Sequence, residues 1–348
     1  MNKSRYYVLL ILLFLAACGA QPTTTPLPTE TITRTATASP TNTPTPTQTF
    51  TPSPTPEPEW YQVLDESYSE MEYRYGTMTD TDARRYTTME DALAGNGNYD
   101  RLSILPAYVA IMDEEIRDGR TFYRFNYGWM EADKVQLLNP SAFRGLLLTR
   151  QVDFHFGWVL EDATSVNAAG TPIQVYQRYQ VVHEVPAVSD HPGFIAVGAD
   201  EWLPEDTVAL TDTRLPAEAG VYDCHFIHVD LSLQIMRVFH DCQLVFTTLV
   251  SSGREPAWTY PGRFSIQTWF PYLQLSAPSW STSVYYQEAV PYFMTYIGDL
   301  GFHGSYWHDD FGKPVSHGCI NLSPADAKWL YEWAQDWMGA TVIISAGE

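Results

Sequence analysis

Two side chains able to do nucleophilic acyl chemistry lie close together in this chain. His303 and Cys319 stand sixteen residues apart in the stretch FHGSYWHDDFGKPVSHGCINLSP, residues 302–324. A thiol becomes a strong nucleophile when its pKa is lowered or when a base takes its proton. Three devices for that are in the stretch: the start of a following helix, the imidazole of His303 and that of His317. Gly318 lets the backbone come close to a substrate, and the N–H groups of Gly318 and Cys319 can face a developing oxyanion. Gly304 follows the candidate base directly, so its carbonyl can orient the imidazole as the third member of a Cys-His-X set. Such a set would attack a carbonyl carbon and hold the acyl group as a thioester. A cysteine without these neighbours would read as a small buried hydrophobe.

The elements that must position these residues are legible nearby. Ser323 is a good N-cap, Pro324 suits the first helical position, and Asp326 completes a Ser-x-x-Asp capping box. Leu330, Trp333, Ala334 and Trp337 fall on one helix face, and Gly339 ends the helix. Upstream, His225 to Leu231 alternates as a strand, turns near Ser232, and continues as Ile235 to His240 and Gln243 to Val250. Gly262 to Ile266 and Thr341 to Ser345 read as further strands.

The pattern H-G-x…S-H-G-C-[IV]-x-L, followed by a Trp-rich helix, resembles the L,D-transpeptidase catalytic domain over about residues 217–345. The resemblance implies a β-sandwich-like domain in which Cys319 is the acylated nucleophile, His303 the base and Gly304 the residue whose backbone oxygen orients it. Ser316, His317 and Gly318 match the rest of the signature. Many members carry Arg where this chain has Asn321 and a subset carries Asn, so the departure bears on substrate contacts more than on chemistry. Val290 to Met294 lies where the family lines its donor cleft. That makes Tyr292 a candidate substrate contact, with core packing as the alternative for Tyr292 and Met294. The implied reaction is peptidoglycan cross-linking. The thiolate attacks the carbonyl of an L-configured diamino acid in a stem peptide, D-alanine leaves, and an amine of a neighbouring stem takes the acyl group. No metal and no cofactor is needed. Passage of the thioester to water would make the enzyme an L,D-carboxypeptidase. A third reading is a non-catalytic wall-binding lipoprotein.

The rest of the chain fits an extracytoplasmic setting. Lys3 and Arg5 precede an apolar run, Val8 to Ala17, that is too short to span a bilayer comfortably. It ends in Leu15-Ala16-Ala17-Cys18, which resembles a bacterial lipobox with Cys18 as the lipidated first residue of the mature chain. Residues 1–17 therefore read as a lipoprotein signal peptide. The Thr/Pro-rich stretch that follows, within 18–58, cannot bury a core and reads as a disordered linker. Extended, it would reach on the order of 100 Å, enough to lift a domain from the membrane into the cell wall. A formal net charge of −21 argues against nucleic acid as a partner.

From Trp60 the composition is globular, in a chain of 348 residues with 45% apolar and 14% aromatic content. An internal repeat stands out: WMEADKVQL at 129–137 and WLPEDTVAL at 202–210, both fitting W-[ML]-x-x-D-x-V-x-L. Each phrase looks like the closing strands of a bacterial SH3-like barrel. The expected fold is mainly β: SH3-like modules at 59–142 and 143–216, then the catalytic domain at 217–348 with one prominent helix after the cysteine. The modules would hold the wall or brace the catalytic domain.

Cys18 and Cys319 being assigned, Cys224 and Cys242 remain. A hairpin turn centred near Leu233 sets them opposite each other at a bridgeable separation, so a disulfide is expected, the alternative being two free thiols. Cys224, His228, His240 and Cys242 share strand parity, which raises zinc. Four residues along a strand span about 13 Å, however, so Cys224 and His228 cannot hold one ion. His155, His183, His191 and His308 show no ligand spacing and read as surface or packing residues.

Overall fold

The structure, a computed structural model, describes residues 59–347 apart from 79, 81, 102–105, 187–190, 219, 221–223 and 278–284. The expected signal peptide, the expected lipidation site Cys18 and the Thr/Pro-rich stretch lie outside the described residues.

Two seven-stranded sheets organise the described chain. The first runs in the order Tyr61–Val63, Leu146–Leu148, Gln243–Leu249, Ile235–His240, Phe226–Asp230, Thr341–Ser345, Gly262–Ser265. Its strands are rich in β-branched and aromatic residues, as half-buried pleated surfaces require. The second runs Ile320–Leu322, Leu300–Gly304, Tyr286–Ile297, Ala107–Ile111, Arg74–Met78, Val135–Leu137, with Thr268–Ser276 also paired to Tyr286–Ile297. The helix Pro324–Asp336 packs on the second sheet, and Leu330 and Ala334 enter a core shared with Val229, Val238, Met294, Phe302, Ile320 and Val342. The fold is mainly β, as expected.

Strand pairing crosses the expected domain boundaries. Tyr61–Val63 and Leu146–Leu148 extend the first sheet, and Leu146 pairs with Thr247. Ala107 and Tyr108 pair in parallel with Tyr286 and Gln287, joining N-terminal strands to the second sheet. The sequence repeat takes one local structure twice. Gly128–Glu131 and Val135–Leu137 flank the 3-10 turn Ala132–Lys134, and Glu201–Pro204 and Val208–Thr211 flank Glu205–Thr207. In each copy the two strands enter different sheets.

A disulfide joins Cys224 to Cys242. The hairpin register sets Phe226 opposite Phe239, and positive φ angles at Asp241 and Cys242 turn the chain so that Cys242 donates its N–H to the Cys224 carbonyl at 3.1 Å.

Candidate active site

The site forms where the first sheet meets the end of the second. The strand Leu300–Gly304 pairs in parallel with Ile320–Leu322, placing His303 beside Asn321 and Phe302 beside Ile320. Side chains alternate across a strand. Phe302 and Ile320 are fully buried in the core below, and His303 and Asn321 share the other face. Two residues back along each chain stand Gly301 and Cys319. The Gly301 N–H points at the Cys319 sulfur, and the thiol approaches the Asp299 carbonyl at 3.9 Å. His303 and Cys319, the latter just before the strand Ile320–Leu322, are thus diagonal neighbours, with Cα atoms roughly 8 Å apart by strand spacing and rise.

His303 is 2% exposed and lies flat on Phe293, ring centroids 5.3 Å apart, with Trp307 on its other flank. Its Nδ1 faces the Gly304 carbonyl at 3.4 Å, which favours the tautomer with the proton on Nδ1 and leaves Nε2 as acceptor. Burial holds the imidazole down at about 4, the nearby His308 adding to the shift and the Gly304 carbonyl opposing it. Burial pushes the Cys319 thiol up to about 11, the Gly301 N–H opposing this and Asp299 reinforcing it. The resting pair is therefore a neutral thiol with a neutral imidazole. Such a pair acts by general-base transfer at the moment of attack and keeps no standing thiolate.

Residues 316–319 form a tight loop. The Ser316 hydroxyl donates to the Cys319 carbonyl and accepts the Gly318 N–H at 3.1 Å. Thr259 donates its hydroxyl to the Gly318 carbonyl at 2.9 Å and accepts the Gly253 N–H at 2.8 Å. Gly318 has a φ of +116°, and Gly253 backs directly onto it: a Cβ on Gly253 would come within 2.8 Å of the Gly318 Cα. Both positions therefore need glycine. The Gly318 N–H, expected as one of two oxyanion donors, is engaged by Ser316 here, and the Cys319 N–H is the remaining member of that pair. His317 is exposed, its ring 4.9 Å from Tyr285, and desolvation together with the Arg254 cation holds it below its ordinary pKa.

Tyr292 is not brought to Cys319. It has a φ of 58° and turns toward the helix, its ring 5.6 Å from Tyr331 and 6.3 Å from Tyr272. Met294 is fully buried in the core. The tyrosines beside Cys319 are Tyr285 and Tyr296, whose phenols are pushed up by burial first and by the neighbouring sulfur second. Sequence reasoning passed over both, since neither stands in the motif.

Sequence reasoning also set His308 aside as surface or packing, whereas the structure places it in the site. Its Nε2 meets the Asn321 amide at 2.9 Å and its Nδ1 accepts the Asp310 N–H at 3.1 Å. The segment carrying it is held by both N-terminal regions. Tyr75 stacks on Tyr306 at 3.6 Å, and Phe143 stacks on Phe311. Ser141, Arg178 and Tyr179 hydrogen-bond to Asp309, the Tyr179 hydroxyl reaching its carbonyl at 2.6 Å.

Residues 225–344 match the YkuD family, the L,D-transpeptidase catalytic domain. The match is confined to this segment, about a third of the chain. The matched region contains the loop and strand residues around Cys319 described above, from Gly253 to Asn321. The chain is similar to the Bacillus subtilis (strain 168) protein YciB, itself assigned provisionally as an L,D-transpeptidase, with 28% identity over 122 residues. That match covers 31% of this chain and 59% of YciB, so the chain spans about three-fifths of that relative's length. Among solved structures it is similar to the catalytic domain of the Enterococcus faecium L,D-transpeptidase, at 26% identity over 36% of this chain and 100% of that one, with a TM-score of 0.32. It is also similar to an L,D-transpeptidase from Stackebrandtia nassauensis, at 26% identity over 37% of this chain and 59% of that one, with a TM-score of 0.30.

Proposed function

We propose that this protein is a peptidoglycan L,D-transpeptidase working through a thioester on Cys319. The observation that carries the reading is the parallel pairing of the His303 and Asn321 strands, which sets an oriented imidazole diagonally beside a thiol. In the first step the Sγ proton passes to His303 Nε2 as sulfur attacks the carbonyl carbon of the L-configured diamino acid. The C–N bond to the terminal D-alanine then breaks, and His303 returns the proton to the leaving amine. In the second step an amine of a neighbouring stem attacks the thioester, gives its proton to His303 and restores the thiol. The Cys319 N–H serves the oxyanion, and Asn321 contacts the donor stem. Ser316, His317 and Gly318 shape the loop that presents the sulfur.

The setting we propose is a lipid anchor at Cys18 and a Thr/Pro spacer reaching into the cell wall, in line with the lipobox-like Leu15 to Cys18 and the linker composition. The SH3-like reading of 59–142 and 143–216 is part of the proposal, with bracing of the 305–313 segment as one role. Cys18→Ala should move the protein from the membrane fraction to the soluble one.

The deciding experiment mixes the full chain with a stem tetrapeptide. Cross-linked dimer with release of D-alanine, abolished in Cys319→Ala and His303→Ala, is the expected result. Tripeptide without dimer would assign the carboxypeptidase instead. Neither product, together with no covalent adduct to a carbapenem by intact mass, would leave the non-catalytic wall-binding lipoprotein.

A further inference from the structure

We infer that His225, His240 and Asp241 form a binding site for a divalent transition-metal ion of the zinc class. His225 Nε2 lies 3.2 Å from one Asp241 carboxylate oxygen, and His240 Nε2 lies 3.7 Å from the other. One ligand atom from each of the three residues falls within 4.8 Å of the others. Zinc held at about 2.0–2.1 Å by imidazole and carboxylate in tetrahedral geometry places its ligand atoms roughly 3.3 Å apart. The two imidazole–carboxylate distances, which run to different oxygens of Asp241, lie near that spacing, and the three-atom set, spread over as much as 4.8 Å, has to draw in by up to about 1.5 Å to grip one ion. Three protein ligands leave a fourth position for water.

The surroundings hold the two imidazoles in place before any ion arrives. Trp337, at the end of the helix, stacks on His225 at 3.8 Å and 14° and stands edge-on to His240 at 4.9 Å. The Cys224–Cys242 disulfide ties together the two chain segments, since His225 follows Cys224 and Asp241 precedes Cys242. The positive φ of Asp241 sets its carboxylate at both imidazoles. Because both sulfurs are in the disulfide, the donor set is two nitrogens and a carboxylate. That combination suits zinc, nickel or copper over calcium or magnesium. This set differs from the Cys224, His228, His240 and Cys242 grouping that strand spacing rules out. It uses none of the residues around Cys319, so it stands or falls apart from the proposed reaction. An ion here would clasp the open end of the Phe226–Asp230 and Ile235–His240 hairpin, beneath Trp337 at the end of the helix.

The test titrates zinc into the full chain carrying Cys18→Ala and Cys319→Ala, so that no free thiol competes, with the disulfide confirmed by intact mass. Calorimetry should give one zinc per chain with a micromolar or tighter Kd, and Tm should rise with zinc and return on chelation. His240→Gln and Asp241→Asn should each weaken binding about tenfold or more. Asp241 is exposed, so Asp241→Asn reports on the site even where His240→Gln folds poorly, which far-UV circular dichroism in chelator would reveal. No binding to the parent chain, or binding of equal strength in both variants, overturns the inference and leaves the cluster as histidine–aspartate ion pairs.

Discussion

The contact between Asn321 and His308 at 2.9 Å fixes which way the Asn321 amide faces. His308 Nδ1 accepts the Asp310 N–H, so the ring proton sits on Nε2 and Nε2 is a donor. The Asn321 atom placed against it, Nδ2, is also a donor, so the pairing requires the amide turned over, with its carbonyl oxygen accepting from Nε2. The NH2 group then takes the other, buried position, where the oxygen as placed has no hydrogen-bond partner. A donor held unpaired on the His303 face suits a substrate carbonyl or carboxylate. Asn321→Ala should lower the rate of acylation about tenfold to a hundredfold. His308→Leu should do the same by freeing the amide, while His308→Gln, which can accept at one atom and donate at the other, should restore part of the rate. Stopped-flow acylation by a carbapenem measures all three; unchanged rates would remove Asn321 and His308 from the site.

A neutral pair has its own pH signature. With His303 held down at about 4 and Cys319 pushed up to about 11, both keep their reactive protonation states between those limits. The second-order acylation constant should be nearly flat from pH 5 to 9. A thiolate–imidazolium pair would instead show a rise governed by an acidic thiol. Below pH 5 the rate should fall as His303 takes a proton.

Acid should also weaken the fold. His228, His303 and His308 are each held down to about 4, mainly by burial. A depressed histidine stays neutral in the folded state while the unfolded chain takes a proton below about 6.5. Stability is therefore full above that value and lost as pH falls toward 4, by at most about 1.4 kcal/mol per pH unit for each group. Tm measured from pH 7.5 to 4.5 should fall most steeply below 6.5, and His228→Gln should flatten the slope.

Asp326 works in the opposite sense. Fully buried, it accepts the Gly145 N–H at 2.8 Å and the Thr248 hydroxyl at 2.6 Å, while its own N–H is capped by Ser323 at 3.1 Å. Burial raises its carboxyl to about 6 against those bonds. Its contribution is fully present below about 3.8 and diminishes as pH rises through 6. Asp326→Asn keeps an acceptor for Gly145 and should melt at or above the wild type at pH 8. Asp326→Ala leaves two buried donors unpaired and should cost about 2–4 kcal/mol in a denaturant titration.

A buried ion pair fastens the N-terminal region to the strand Tyr286–Ile297. Arg85 Nη1 lies 3.0 Å from Glu288, which also accepts the Tyr286 hydroxyl and the Ala110 N–H. Burial pushes Glu288 up, while Asp100, Tyr286 and Glu288 together keep Arg85 charged. Removing one partner strands a buried charge, so Arg85→Ala should cost about 3–5 kcal/mol. Arg85→Met with Glu288→Leu should recover most of that loss, as measured by a double-mutant cycle.

Local signals in the sequence mapped well onto the structure. The Ser323 cap, the helix start at Pro324 and the strands ending at His240 and Ser345 follow from periodicity and capping over a few residues, whereas the first strand stops at Asp230, short of Leu231, and the helix at Asp336, ahead of Gly339. Non-local relations did not show. Nothing near Ala107 announces that it pairs with Tyr286, and His308 became a site residue only once the 305–313 segment was folded back on Asn321. Tyr292, for which packing is the alternative reading, packs against the core for a reason that is also non-periodic. Simple alternation does not foresee left-handed turns at Ala289 and Tyr292, and these re-aim the side chains of that strand.

The anchoring of the strand Tyr286–Ile297 and of the helix Pro324–Asp336 by distant chain has a kinetic consequence. The Tyr75 hydroxyl reaches the Ala289 carbonyl across 214 residues, Arg85 reaches Glu288 across 203, and Gly145 reaches Asp326 across 181. Contacts of such separation close large loops before they return any stabilisation, and chains built on them fold slowly. The thiol and imidazole should therefore be among the last parts to reach their working positions. Refolding experiments should show secondary structure recovering well ahead of carbapenem reactivity.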